Sequence, residues 1–99
     1  MRAMLALAGC FTIFAGFAAA GPVGSACLQS DRGANPPLCA CIQNAANMTL
    51  SGPDQKLAAR LFTNPEKAEE IRVSDSARNR AFWERYQGFA LAAGTLCGG

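Results

Sequence analysis

The chain has 99 residues, enough for one domain. Nine Lys and Arg against seven Asp and Glu give a formal net charge of +2, too balanced for a nucleic-acid surface, which needs a basic patch or stripe. There is no His, which removes the commonest general base and the commonest metal ligand together.

Residues 1–20 have the pattern of a cleaved secretory signal. Met1-Arg2 is a short positive start, Leu5 to Phe17 is almost wholly apolar, and Ala18-Ala19-Ala20 offers the small residues of a cleavage site. A transmembrane anchor is the rival, but about 16 apolar residues between Met4 and Ala20 fall short of the roughly 20 of a spanning helix. Leu7-Ala8-Gly9-Cys10 matches a lipobox, with too little apolar sequence before it for that role; Gly24-Ser25-Ala26-Cys27 is a weaker match. Cleavage after Ala20 leaves 79 residues, no membrane segment and four cysteines, Cys27, Cys39, Cys41 and Cys97. An even cysteine count in a small exported chain predicts two disulfides, which a core of this size needs as staples.

Gly21 to Pro37 is rich in Gly, Pro, Ser and Asn and has no apolar period, so residues 21–36 are expected to form an irregular arm ahead of a helical domain at 37–99. A first helix is predicted from Pro37 to about Leu50, with Leu38, Cys41, Ile42, Ala45, Met48 and Thr49 on its inner stripe. Ser51-Gly52 ends it. A second begins at Pro53-Asp54 and buries Leu57, Ala58, Leu61 and Phe62. Asn64-Pro65-Glu66 opens a short third with Ala68 and Ile71 inside, its acids near the start and Arg72 near the end. Ser74-Asp75-Ser76 caps a fourth, in which Phe82, Tyr86, Phe89, Ala93 and Cys97 form one continuous stripe. Gly88 and Gly94 in that helix offer room for close approach of a neighbour. No segment alternates like a strand. The fold class is therefore all-α, a small disulfide-stapled bundle of three to four helices.

Catalytic chemistry finds few residues to use. No His or Lys stands at a spacing that activates a nucleophile, and Glu69 and Glu70 point roughly 100° apart on a helix. The expectation is a non-enzymatic protein with no catalytic residue, no cofactor and no metal. One alternative is a thiol redox or Cu(I) protein using Cys39 and Cys41, with the Met48 thioether as a third soft ligand. Against it, an oxidising compartment favours disulfides over open thiols. Trp83, Arg80 and Arg85 are the candidate binding residues. Trp83 lies about 100° round the helix from Phe82, at the rim of the core, and exposed Trp and Arg are frequent binding anchors.

Cys39-x-Cys41-Ile42-Gln43, Asp54-Gln55, Arg72-Val73-Ser74-Asp75, Phe82-Trp83-x-Arg85-Tyr86 and Cys97 together resemble a group of short, essentially uncharacterised exported alphaproteobacterial proteins, some labelled arginine transporters. The resemblance implies a bacterial periplasm. The label implies at most an accessory role in amino-acid handling, because no spanning segment remains to form a permease. The leading expectation is a periplasmic helical module that binds a protein or envelope component. A pocket for a small solute of roughly 300 Å³ or more is not expected in 79 residues.

Four cysteines allow three pairings. A ring between Cys39 and Cys41 is strained, so each pairs with Cys27 or Cys97. Cys97 ends the inner stripe of the last helix, and Cys41 shares the inner stripe of the first, whereas Cys39 lies about 200° away from it. The predicted bonds are therefore Cys41–Cys97 and Cys27–Cys39.

Overall fold

A computed structural model describes residues 21–30 and 35–98. Residues 1–20, read from the sequence as a secretory signal, and with them Cys10, lie outside the described residues. Five helices and no strand occur within them: α1 Pro22–Gln29, α2 Pro36–Thr49, α3 Gly52–Thr63, α4 Pro65–Arg72 and α5 Ala77–Cys97. The all-α, disulfide-stapled reading holds, and the four helices expected from Pro37 onward are α2 to α5.

Local chemistry places the four later helices. Asn35, Ser51, Asn64 and Ser76 each cap one, their side-chain oxygens accepting from the backbone N–H of Leu38, Asp54, Lys67 and Asn79 respectively. Proline stands in the first turn of α2, α3 and α4, where its missing N–H costs nothing. Gly98 ends α5 with φ +80°, a left-handed conformation that glycine adopts without strain.

The expected irregular arm is corrected: eight of its residues form α1. Val23, Gly24, Ala26 and Cys27 are buried on it, and it packs against both α2 and α3. Gly21 is its N-cap and carries no side chain to satisfy the first-turn amides. The Gly24 N–H instead donates to Oε1 of Gln43 on α2, at 2.7 Å. A side chain from another helix thus performs the capping that sequence-local chemistry could not supply.

Val23, Cys27, Cys39, Ile42, Ala45, Ala46, Leu50, Ala58, Leu61, Ile71, Phe82 and Phe89 form the core. Phe82 and Phe89 are its largest members on α5, and truncating such a ring costs about 3–5 kcal/mol. The inner stripe of α2 is also corrected. Cys39, Ile42, Gln43, Ala45 and Ala46 are buried, while Met48 is 70% exposed and Cys41 is only partly buried. The reason is α1: it covers the side of α2 that carries Cys39, so the buried face of α2 lies between α1 and α5 and Cys41 falls at its edge, where it meets Cys97. Gly88 and Gly94 open onto free space, and no neighbouring helix uses the room they leave.

Candidate binding surface

Both expected disulfides are formed. Cys27 and Cys39, each 0% exposed, join α1 to α2 with Cα atoms 5.5 Å apart. Cys41 and Cys97 join the first turns of α2 to the last turn of α5, with Cα atoms 5.8 Å apart. Cys39 and Cys41 are therefore halves of separate structural bonds. A Cu(I) or redox pair made of these two sulfurs requires both bonds to open. Among the described residues, no group of three or more His, Cys, Asp or Glu is placed to hold a metal ion.

The three candidate binding residues on α5 differ in setting. Trp83 is half-buried, packs against the core, and lies 5.3 Å from the Tyr86 ring between centroids. Tyr86 in turn contacts Phe82 and Phe89, so one run of rings ties the indole to the interior. Arg80 is exposed. Arg85 reaches across to α3 and grips Asp54 with two hydrogen bonds, Nε to Oδ2 at 2.6 Å and a second nitrogen to Oδ1 at 3.1 Å. The bond to Asp54 holds the Arg85 guanidinium above its ordinary pKa. Arg85 is thus committed to fastening α5 to the start of α3, which leaves Arg80, of the two candidate arginines, free on the outer surface.

Sequence reasoning missed Leu91. It is 75% exposed, the most exposed of the large apolar side chains described. Arg80, Trp83, Gln87 and Leu91 follow steps of 3, 4 and 4, which sets them along one stripe of α5 that runs from the core rim at Trp83 to the outward side at Leu91. The same periodicity used for the inner stripe, applied to the other side of the helix, would have found it. Around the flank, Leu96 (51% exposed) and Met48 (70%) line a surface cavity of about 460 Å³ together with Cys41, Asn44 and Asn47.

A groove of about 1060 Å³ runs between α2, α5 and the end of α3, floored by Ile42, Leu61 and Phe89 and walled by Leu38, Tyr86 and Ala93. This exceeds the roughly 300 Å³ not expected in a chain of this size. None of its described lining residues is charged. A guanidinium ligand such as arginine wants a carboxylate partner, and this lining supplies none.

Among the described residues no helix is long and apolar enough to cross a membrane. No protein-family model matches the chain, and no match is found among the curated proteins or among the solved structures.

Proposed function

We propose that this is a non-enzymatic periplasmic module that presents the outward side of α5 to a partner protein or another envelope component. The observation that carries the reading is the exposure of Leu91 on the same stripe as Trp83 and Arg80. An apolar side chain at 75% exposure gains most by being covered. Trp83, seated at the core rim, is a rigid aromatic neighbour for it, and Arg80 supplies a charged edge.

The scaffold suits that role. The disulfide and the Asp54–Arg85 bond fasten α5 to α2 and α3, so little ordering of the helix is needed when a partner docks. Two disulfides fit an oxidising compartment, and the signal-like start supports export to the periplasm.

The test is affinity capture from periplasmic extract, using the native chain and the variants Leu91→Ala, Arg80→Ala and Trp83→Ala, each verified for helicity. The reading requires at least one captured component whose recovery falls in Leu91→Ala and Trp83→Ala but not in Lys56→Ala on α3. Equal recovery with all variants would remove α5 as the binding face.

A further inference from the structure

The two disulfides have opposite settings. Cys27 and Cys39 are sealed in the core at 0% exposure. Cys41 and Cys97 are both partly exposed, and Cys41 forms one wall of the 460 Å³ surface cavity with Met48 and Leu96. That cavity has no charged group in its lining and leaves room for a small thiol reagent beside the bond. Exchange requires a thiolate to reach a sulfur, so access decides which disulfide reacts.

What the exposed bond holds is also distinctive. Among the described residues, no side-chain hydrogen bond or ion pair runs from residues 87–97 to another helix. This stretch is kept in place by Phe89, by the small contacts of Ala92 and Ala93, and by the Cys41–Cys97 bond. Ala90, Leu91, Gly94, Thr95 and Leu96 face outward. The bond is therefore a latch on the end of α5.

We propose that Cys41–Cys97 is a thiol–disulfide exchange site for a dithiol reductant, and that opening it releases the last two turns of α5 while Cys27–Cys39 keeps α1, α2 and α3 together. In the step, one thiolate of the dithiol attacks a sulfur of the bond, forming a mixed disulfide and expelling the other cysteine as a thiolate. The second thiol of the reductant then displaces the first cysteine. Two electrons pass to the protein, which ends with two thiols after taking up the protons, and the reductant ends as a disulfide. The released turns uncover the α5 wall of the groove, including Ala93 and Cys97.

The experiment is a native-state time course with dithiothreitol on the oxidised protein, quenched with acid, alkylated and peptide-mapped. The expected result is alkylation of Cys41 and Cys97 at least about tenfold faster than of Cys27 and Cys39. Reduction of both pairs together, of the buried pair first, or of neither under native conditions would overturn the proposal. Hydrogen exchange on the selectively reduced protein gives the second readout. Residues 90–97 should exchange at least about tenfold faster, with α1 and α3 unchanged. Uniform loosening, or no change in α5, would refute the latch. Neither readout depends on a partner for α5, so the result stands apart from the capture experiment.

Discussion

Gln43 and Gln55 face each other inside the fold, the Nε2 of Gln43 donating to Oε1 of Gln55 at 2.8 Å. Both are nearly fully buried, at 3% and 8% exposure, and their amides are fully engaged. Gln43 also donates to Oδ1 of Asn47 at 2.8 Å and accepts from the Gly24 N–H. The Gln55 amide nitrogen is shared among the Leu50 and Ala46 carbonyls and Asn47 Oδ1, at 3.2 to 3.4 Å. Among the described residues, no buried side-chain nitrogen or oxygen lacks a partner. One amide network thus fixes α1, α2 and α3 in a single register. A satisfied buried network specifies an arrangement; a broken one leaves costly orphans.

Gln43→Leu keeps the volume and removes the amide. It orphans the Gly24 N–H and Gln55 Oε1, each worth about 1–3 kcal/mol when left buried and unpaired. The variant should unfold at lower urea, and the Gly24 amide should exchange faster than amides in α5. A loss below about 0.5 kcal/mol would mean water or a rearranged Gln55 replaces the network.

This network is also where the sequence was least legible. Pro, Asn and Ser at the starts of α2 to α5 act within a few residues of themselves, so their caps can be read directly. Gln43 and Gln55 resemble ordinary surface residues until α1 is in place to bury them. α1 does carry an apolar stripe, Val23, Ala26 and Cys27 at i, i+3 and i+4, but it is one turn long and easily lost among the flanking Gly, Pro and Ser. Pro22 at its first turn was a second local signal, the same that marks the next three helices. The disulfide pairing was legible for a reason that needs amending. Cys39 and Cys41 do point to different partners, but Cys39 is the one in the core.

Gly21 should tolerate no side chain. A Cβ built there would fall on the carboxamide of Gln43. Gly21→Ala must therefore push that amide away from Gly24, Asn47 and Gln55 together. The cost should be largest in the native background and much smaller in Gln43→Ala, where the obstructing group is gone. Denaturation of the four members of this cycle measures the coupling. Additive losses would show that the alanine acts through the backbone instead.

Glu69 and Arg72 form an exposed pair along α4, with the Arg72 Nε donating to Oε1 at 3.1 Å. That hydrogen bond, helped by the positive charge, lowers the Glu69 pKa below its ordinary value and raises that of Arg72. A carboxyl depressed in the folded state contributes stability above its unfolded pKa and loses it as pH falls through the folded pKa. Any contribution of this pair should therefore be present at neutral pH and fade in acid. NMR titration should find the Glu69 midpoint rising in Arg72→Gln and rising in high salt, since the pair is solvent-exposed. A midpoint indifferent to both would mean the two side chains do not hold together in solution.

Removing each disulfide should weaken the fold in a different place. By chain entropy alone, the Cys41–Cys97 loop, with a sequence separation of 56, is worth roughly 4 kcal/mol, and the Cys27–Cys39 loop, with a separation of 12, roughly 3 kcal/mol. An irregular arm would have made the second bond dispensable for the domain. With α1 in the core, cutting it also loosens the helix that buries Val23 and is capped by Gln43. The two losses should then lie within about 1 kcal/mol of each other, and their locations should separate them. Cys27→Ala/Cys39→Ala should speed hydrogen exchange in α1 and at the α2–α3 amides beneath it. Cys41→Ala/Cys97→Ala should speed it in the last turns of α5 and leave α1 protected. If Cys27→Ala/Cys39→Ala left α1 protected and only slightly destabilised the protein, packing and the Gln43 bond alone would suffice to hold α1.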